Sequence, residues 1–503
     1  MSETNMNKYT TIVKLLESYG YESYISGSTA CDLYRKVSPQ TIHVSVAATF
    51  IQLQEALKDK IVSLDSYTNI VKVRYKAYEY LIHPLTTIKL KNTYCHFKPT
   101  DSFEENANHL GFTIHALYYN PLKDTWLNFH NAKNDIDNQI VRFIGNPEDR
   151  ILESKIRLLQ GPILVGVLGD KWSLDGTAHD TIKQYYLKLV MAHSSQVKQE
   201  LTTLFAEVEI PSKVFNILRS TKLVEVILPE LALCYKIPQS NKQKNLTLWD
   251  HIMFALDSIK ISQPNHFILR LAALLHDIGK PHCQIITKTG MHFYSHENVG
   301  AMLTERILYN WGFSKTILKK VSLLVKHHLF NAGSKISDAY LNKLIAKVGP
   351  DHIHDLIDLR IADRWGTGRK DIKMDRVEAM RTRVNQILAK TSPQTFKLSL
   401  SETEIRKAVR FATDDTENTI ESVKQYLEYK VLYGKLLNKA SNLKRAIREV
   451  NKLNCPLDKP HLFKTWSHLV KGEEEAFENG RLKCGVYCNF ICDKKLKRFK
   501  IDE

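Results

Sequence analysis

The chain has no long apolar run and few cysteines, and it lacks the repeats and biased tracts that mark disordered or fibrous proteins. Its longest apolar stretch, from Gly161 to Gly169, is about half of the roughly 18 to 20 residues that a membrane helix needs. The polar segment 1–8 carries no export or transit signal, and we expect the eight cysteines to be reduced. These absences predict an intracellular, cytoplasmic protein rather than a membrane protein.

The composition is that of an ordinary globular protein with an excess of positive charge. The 503 residues are 43% hydrophobic and 25% charged, which suits roughly two to four domains with cores of their own. Lys and Arg number 71 against 54 Asp and Glu, for a net charge of +17. Basic surfaces bind phosphates and release their counterions, so we expect RNA, DNA or nucleotides as partners, and acidic membranes only second.

The apolar pattern changes along the chain and predicts an α+β fold. From Tyr24 to about Ile140, short apolar runs alternate with turn residues, as in a mixed α/β region. In segment 71–76 apolar and basic residues alternate, so a strand there buries one face and presents three positive charges on the other, either to solvent or to phosphates. From about Glu153 the apolar spacing becomes three and four, which predicts helices.

The strongest chemical signal is a set of histidines and aspartates in the helical part. His276 and Asp277 follow the apolar segment 267–275 and precede Ile-Gly-Lys-Pro, which must end a helix. The other members lie on or beside apolar segments, in the order His251, His296, His327 and Asp363. Together they give the order H…HD…H…H…D, which is that of the HD metal-dependent phosphohydrolases.

This set predicts a divalent metal site, and its more than four candidate ligands indicate two ions. Imidazole and carboxylate ligands suit Mn, Fe, Co, Ni or Zn better than Mg, which prefers oxygen ligands. We expect Asp277 and Lys280 to be catalytic, with a metal-bound hydroxide attacking phosphorus and Lys280 holding a phosphate oxygen. His327 and His328 point about 100° apart on a helix, so only one should be a ligand, and we expect His327.

Several motifs resemble one known family over residues 24 to 367. They are Leu-Ala-Ala-Leu-Leu-His-Asp-Ile-Gly-Lys-Pro at 271–281, Phe-Tyr-Ser-His-Glu at 293–297, Gly27-Ser28 with Asp32, Phe112-Thr113-Ile114, Ile144-Gly145-Asn146-Pro147 with Arg150, and Leu228-Pro229-Glu230. The chain therefore resembles the class II tRNA nucleotidyltransferase/poly(A) polymerase family in its bacterial form, which carries an HD domain. The resemblance implies nucleotide addition to RNA 3′ ends, typically the CCA end of tRNA.

The resemblance also implies the domain order and the head residues. We expect a polymerase-beta-like nucleotidyltransferase head at 1–150, a helical neck that binds RNA or nucleotides at 151–240, an HD domain at 241–390 and a basic helical tail at 391–503. We expect the neck, the HD domain and the tail to be helical. The head residues expected to bind nucleotide or RNA are Gly27, Ser28, Asp32, Arg150 and Arg157.

The head departs from the family at the residues of the polymerase chemistry. Laid without gaps on the family's Asp-x-Asp motif, segment 41–49 puts Thr41 and His43 in place of two carboxylates that would jointly hold Mg²⁺. Residues 37–50 contain no Asp or Glu, so a shifted alignment does not restore the pair. Three further family motifs differ at Cys31, at His109-Leu110-Gly111 and at Ser154 with Gln160.

Three hypotheses follow from this contrast. The first is an HD phosphohydrolase acting on RNA or nucleotide phosphoesters, such as tRNA 3′ ends, with a degenerate head as an RNA platform. The second is an active CCA-adding enzyme with atypical metal ligands, and the third is a non-catalytic RNA-binding or regulatory protein. The sequence favours the first. Cys484, Cys488 and Cys492 are spaced unlike the C-x₂-C pairs of structural zinc, and their role stays open.

Overall fold

The computed structural model describes residues 3–65, 69–91, 94–240, 243–288, 290–332, 336–368, 375–390, 398–409, 420, 423–424, 426–428, 431 and 436–451. The chain divides into two compact units. One comprises 1–326 with 362–370, and the other comprises 327–361 with 371–503. The predicted α+β class is confirmed. The three cysteines at 484, 488 and 492 lie outside the described residues.

The head is built on a mixed seven-stranded sheet with the order β3-β4-β5-β2-β1-β8-β9. Four two-stranded sheets accompany it in the first unit. The strands are β1 (Ser23–Ser26), β2 (His43–Val46), β3 (Ile61–Asp65), β4 (Ile70–Tyr75), β5 (Tyr78–Pro84), β6 (Thr86–Lys91), β7 (Tyr94–Pro99), β8 (Leu117–Asn120), β9 (Thr125–Asn128), β10 (Ile140–Val141), β11 (Ser173–Leu174), β12 (Pro238–Ser240), β13 (Gln243–Thr247), β14 (Gln284–Thr287) and β15 (Gly290–Phe293).

The alternating segment forms β4 as predicted, and two basic side chains on its outer face share one carboxylate. Val71 and Val73 are fully buried in the head core. On the other face, Lys72 Nζ lies 2.7 Å from a carboxylate oxygen of Glu79, and Arg74 pairs with the second oxygen of the same side chain. Glu79 is on the neighbouring strand β5, which pairs antiparallel with β4. One carboxylate offsets only one of these two positive charges, so the face is partly paired and keeps a net positive charge.

Helices make up most of the described residues after the head sheet, but the hairpins β12–β13 and β14–β15 correct the prediction that the neck and HD domain are all helical. Those with all or most of their residues in the first unit are α1 (Glu3–Ser18), α2 (Gly27–Tyr34), α3 (Phe50–Leu57), α4 (Phe103–Ala107), α5 (Ala132–Asp137), α6 (Pro147–Glu153), α7 (Arg157–Leu168), α8 (Gly176–Tyr185), α9 (Ser194–Glu207), α10 (Pro211–Ser220), α11 (Val224–Ile227), α12 (Pro229–Ala232), α13 (Leu248–Asp257), α14 (His266–Leu275), α15 (His296–Asn310) and α16 (Lys315–His327). Short 3₁₀ helices lie at Lys58–Lys60, Thr113–His115, Tyr186–Met191 and Lys280–His282.

A buried arginine ties the helices before the site to the helix that carries it. Arg270 on α14 has no exposed surface, and its guanidinium donates hydrogen bonds to the backbone carbonyls of Phe205, Val208 and Ile259. These carbonyls lie at or just beyond helix ends, where backbone acceptors have no partner within the helix. Arg270 therefore holds α14 in place from within the core.

The second unit is also helical. Its helices are α17 (Asp338–Val348), α18 (Ile353–Trp365, whose last residues belong to the first unit), α19 (Asp375–Lys390), α20 (Glu402–Ala408) and α21 (Ala440–Asn451). Leu400, Ile405, Leu443 and Ile447 are buried together in a small core there. Across the described part of the chain, none of the helices has both the length and the apolar character needed to cross a membrane.

Candidate functional site

Four residues of the predicted HD set converge on one point, here called the HD centre. His251 comes from α13, His276 and Asp277 follow α14, and Asp363 lies on α18. The Nε2 atoms of His251 and His276 are 3.0 Å apart, and Asp277 Oδ2 lies 3.2 Å from each. Asp363 Oδ1 lies 3.3 Å from the nitrogen of His251 and 3.7 Å from that of His276. Two nitrogens and two carboxylate oxygens thus face each other.

Lys280 and His296 complete the surroundings of Asp277. Lys280 Nζ lies 2.6 Å from Oδ2 of Asp277, and His296 Nε2 lies 3.2 Å from the other carboxylate oxygen. Both Lys280 and Asp277 are buried. The lysine therefore compensates the charge of a buried carboxylate, besides any role toward a phosphate.

Backbone carbonyls orient two of the imidazoles. Nδ1 of His276 lies 2.8 Å from the carbonyl of Ala273, and Nδ1 of His296 lies 2.7 Å from that of Phe293. A ring nitrogen that faces a carbonyl oxygen carries the proton and donates it, so Nε2 is the atom directed into the centre.

The carboxylates of the centre hold protons on its imidazoles. Burial lowers the pKa of His251, but hydrogen bonds to Asp277 and Asp363 and their charges outweigh this and raise it to about 9. Burial also lowers the pKa of His296, but the hydrogen bond to Asp277 and the charge of that carboxylate outweigh this and raise it above its ordinary value. For Asp277, burial raises the pKa, but the charges of His276 and Lys280 and hydrogen bonds from imidazoles hold it well below its ordinary value. Such a site attracts any cation, a proton or a metal ion.

The donor set fits one first-row divalent ion. His251, His276 and Asp363 each offer an atom, and these atoms lie close enough together to share an ion. Ligand bonds of about 2.1 Å at right angles put neighbouring donors about 3.0 Å apart, which is close to the separations above. His251, His276, Asp277 and Asp363 would hold the ion, which would supply Lewis acidity and an activated water.

Two glycines allow the backbone around the centre to approach closely. A Cβ on Gly279 would lie 2.2 Å from the carbonyl oxygen of His296 and 2.6 Å from the backbone nitrogen of Gly300. A Cβ on Gly366 would lie 2.6 Å from Nδ1 of His251. Neither position tolerates a side chain without movement of the elements that carry the site.

His327, the remaining histidine of the predicted set, and its neighbour His328 belong to the second unit. His328 is buried, whereas His327, the last residue of α16, is partly exposed. The difference favours His328 as the residue that faces the protein interior. The expectation that His327 is a ligand stays a prediction.

A second site lies in the head, where two adjoining cavities form what we call the head cleft. The first, of about 340 Å³, is lined by Gly27, Ser28, His43 and His83 among others. The second, of about 630 Å³, shares Ser28 and His43 with it and extends along Arg157 of α7. Of the head residues predicted to bind nucleotide, Gly27, Ser28 and Arg157 line the cleft.

Two other predicted residues are engaged elsewhere. Asp32 pairs with Arg35 at 3.1 Å. Arg150 donates to the carbonyl of Asn108 and lies 2.6 Å from a carboxylate oxygen of Glu153. Arg157, although it lines the cleft, also pairs with Glu153, at 2.7 Å. Glu153 is nearly completely buried, so this arrangement of two arginines around one carboxylate is a structural connection at the base of the cleft.

Sequence reasoning identified His43 and Gln160 only as departures from family motifs and missed their partners in the cleft. His43 Nδ1 lies 2.9 Å from Nε2 of His83, which is 40 positions further along the chain. Gln160 Nε2 donates a 2.9 Å hydrogen bond to Oε1 of Glu200, and both line the larger cavity. Burial raises the pKa of Glu200. No local sequence motif predicts either pair, because each joins residues that only tertiary folding brings together.

Comparisons with known proteins find two similarities. The HD domain family model matches residues 246–366. The CC-adding tRNA nucleotidyltransferase of Thermus thermophilus is 27% identical over 234 residues, which are 44% of this chain and 51% of that protein. The A-adding tRNA nucleotidyltransferase of Deinococcus radiodurans is 25% identical over 241 residues, 46% of this chain and 54% of that protein. This chain has an HD domain and is related to the class II tRNA nucleotidyltransferases.

A solved structure shows the same fold over most of this chain, whereas the sequence match to relatives covers only part of it. The crystal structure of the Bacillus stearothermophilus CCA-adding enzyme in complex with CTP has a TM-score of 0.58 at 14% identity and covers 90% of this chain and 99% of that one. This chain spans about half the length of the curated relatives described above. The recognised family resemblance is confirmed.

The first functional hypothesis from the sequence is wrong. We expected hydrolysis at the HD centre to be the activity of the chain and the nucleotidyltransferase head to have lost its own. The relatives are named for adding nucleotides to tRNA, and the fold that matches is that of a CCA-adding enzyme. These findings favour the second hypothesis, an active nucleotidyltransferase with atypical metal ligands. The error came from equating the missing carboxylates with lost activity.

The carboxylate-held Mg²⁺ pair that the family resemblance implies does not fit the head of this chain. Thr41 is exposed and precedes β2, and it is not among the residues lining the cleft. Within the described lining of the smaller cavity there is no Asp or Glu. Magnesium prefers carboxylate, phosphate and water oxygens, and hydroxyls alone supply no charge. Any metal in the head must be held in another way.

Proposed function

We propose that this chain adds nucleotides to the 3′ end of RNA, with tRNA as acceptor and CTP or ATP as donor. The observation that carries the proposal is the head cleft, about 340 Å³ continuing into about 630 Å³, in a chain whose relatives are named for this reaction. Cavities of this size are typical of small-ligand sites. The net charge of +17 suits both polyanionic substrates.

One end of the cleft suits the triphosphate. The helix α2 begins at Gly27, and both Gly27 and Ser28 line the smaller cavity. A helix N-terminus presents backbone N–H groups and a positive dipole, which favour phosphate oxygens. The hydroxyl of Thr29 fixes this helix to β2 by donating to the carbonyl of Thr41 and accepting from the backbone N–H of His43, at 2.9 Å each. The phosphate end and the strand that carries His43 thus move as one piece.

The other end of the cleft suits a base. Arg157 lines it, but its guanidinium is committed to Glu153 and to the carbonyls of Arg150 and His109. Gln160 and Glu200 instead present an amide and a carboxyl group side by side. An amide offers a donor and an acceptor together, as a Watson–Crick edge requires. We assign base recognition to this pair.

The proposed reaction is a single transfer at phosphorus. The 3′ oxygen of the RNA forms a bond to the α-phosphorus of the nucleotide, and the bond from that phosphorus to the bridging oxygen breaks. Pyrophosphate leaves with the bonding electrons, and the hydroxyl proton passes to solvent. The residues of this chain would hold the triphosphate and the base so that the two reacting atoms meet.

The test uses the full chain, a tRNA transcript without its terminal CCA, and labelled CTP or ATP with Mg²⁺, Mn²⁺, Co²⁺ or Zn²⁺. We expect incorporation by the wild type and a raised KM for nucleotide in Gln160→Ala, because the base loses a partner. Gln184→Ala, at an exposed position on α8, is the matched control and should behave as wild type. Absence of incorporation with all four metals, by protein that is folded and binds the tRNA, would refute the proposal.

We also propose that the HD centre holds a divalent ion, with Mn, Co, Ni, Fe or Zn preferred to Mg. The support is its mixed set of two imidazole nitrogens and two carboxylate oxygens. A second ion beside Asp277, whose two oxygens face different imidazoles, stays a prediction. Metal content of the purified protein, measured by elemental analysis with and without Asp277→Asn, tests this proposal.

A further inference from the structure

We propose that His43 and His83 form a divalent-metal site in the head cleft and that it takes a borderline first-row ion, such as Co²⁺, Ni²⁺ or Zn²⁺. Phosphate oxygens of the nucleotide would complete the set of ligands. The role of this ion in nucleotide transfer rests on the proposed function, whereas its binding does not.

The sheet topology brings the two imidazoles together. His43 opens β2, and β2 pairs in parallel with β5, where Ser45 lies opposite His83. Residues 43 and 45 share a face of the strand because side chains alternate, so His43 and His83 are diagonal neighbours on one face. Their rings meet edge to edge through Nδ1 of His43 and Nε2 of His83, with an interplanar angle of 22° and centroids 5.1 Å apart, and both line the smaller cavity.

The distance between the ring nitrogens suits two ligands of one ion. Nδ1 of His43 and Nε2 of His83 are 2.9 Å apart. Bonds of about 2.1 Å at right angles would put the two nitrogens about 3.0 Å apart. An N–H···N hydrogen bond between the rings gives the same distance, with one nitrogen protonated. Metal binding needs both nitrogens bare, with the proton of each ring on its other nitrogen, and experiment separates the two arrangements.

The surroundings keep the imidazoles neutral. Burial lowers the pKa of His43, and burial together with the charge of His43 lowers that of His83 to about 3. Neutral imidazole is the form that binds metal.

The chemistry of the cavity determines the class of ion. Its described lining offers hydroxyls, amides and imidazoles and no carboxylate, so Mg²⁺ would find neither the charge nor the oxygens it needs. Imidazole suits Zn, Co and Ni. Because neutral ligands do not offset the ionic charge, the full double charge remains available to the triphosphate oxygens.

A third imidazole in the same cavity provides a control. His115 lines it, and burial and the charge of His43 lower its pKa to about 4. Among the described residues, however, His115 does not join the other two in a group close enough to share one ion. It has the same chemistry and the same cavity, but a different distance.

The experiment titrates the full chain with Co²⁺, with and without CTP, and records the visible absorption that imidazole–Co²⁺ complexes give. The background is the double variant His276→Ala/Asp277→Ala, which removes the HD centre as a competing site. We expect this background to bind one Co²⁺, with affinity reduced at least about 10- to 100-fold by His43→Asn or by His83→Asn. His115→Asn should keep the affinity. If the background does not fold, the same histidine variants in the wild type should lower the number of bound Co²⁺ ions by one.

The outcomes separate this site from the proposed function. Co²⁺ binding that both histidine variants leave unchanged, or no Co²⁺ binding by folded background protein even with CTP, overturns the metal site and leaves a His–His hydrogen bond. Nucleotide addition that persists in that case supports the proposed function without this site. Co²⁺ held by His43 and His83 in a protein that adds no nucleotide supports the site and refutes the function.

Discussion

Gly279→Ala tests whether close backbone packing, rather than the ligands alone, positions the HD centre. Gly279 has φ −78° and ψ −18°, a conformation that alanine adopts without strain, so the substitution adds only a methyl group. That methyl carbon would lie 2.2 Å from the carbonyl oxygen of His296, whereas real Cβ atoms essentially never come below 3.0 Å. The turn after Asp277 and the start of α15 must therefore separate by about 0.8 Å or more.

Two effects of known size should follow. Overpacking of this kind costs about 1–3 kcal/mol of the free energy of unfolding. The same movement lengthens the 3.2 Å contact between His296 and Asp277 and displaces the carboxylate from the centre. Since changes behind metal ligands lower metal affinity by about 10- to 100-fold, we expect a loss in that range for Mn²⁺ or Co²⁺.

The matched control is Gly176→Ala. Gly176 begins α8, and a Cβ there would meet no atom within 4 Å. We expect this variant to be unchanged or more stable by up to about 1 kcal/mol, because alanine restricts the unfolded chain. The assays are urea unfolding followed by circular dichroism and metal titration at equilibrium. Equal unfolding midpoints and equal metal affinities for the two variants would show that the close approach at Gly279 does not position the centre.

Three further predictions concern a ligand, a core residue and a carboxyl group of the cleft. Asp277→Asn should lower metal affinity at the HD centre more than about 10-fold, because it removes a charged donor, whereas the exposed Asp149→Asn should not; equilibrium dialysis measures both. Arg270→Ala should lower the free energy of unfolding by about 2–5 kcal/mol, because it leaves a cavity and buried carbonyls without donors. Its control is Arg306→Ala, at an exposed ion pair, which should lower it by less than about 1 kcal/mol in the same urea titration. Because burial raises the pKa of Glu200, ionising this carboxyl destabilises the folded protein at pH values above the ordinary carboxyl pKa. Glu200→Gln should therefore raise the thermal midpoint at pH 7 and lose that advantage near pH 4. An equal gain at both pH values contradicts the burial of this carboxyl.

The sequence alone determined the elements and their inward faces. Alternation at 70–75 predicts β4 because a strand has a period of two, and the buried Val71 and Val73 follow from it. The residues of the HD centre were also predicted from the sequence, because each lies on or beside an apolar segment. His276 and Asp277 end α14, and His251 lies on the buried face of α13. The packing of those faces brings these side chains to within about 3 Å of one another.

Tertiary structure alone decided which side chains meet across elements. The pairing of Lys72 and Arg74 with Glu79, of Arg150 and Arg157 with Glu153, and of Gln160 with Glu200 depends on distances that no periodicity encodes. The clearest case is His43, which looks like a defect in a carboxylate motif when the sequence is read alone. The parallel pairing of β2 with β5 places His83 beside it and makes the two a pair of donors. Strand order and register arise from the packing of the whole sheet, so local sequence specifies each face but not the neighbour it will have.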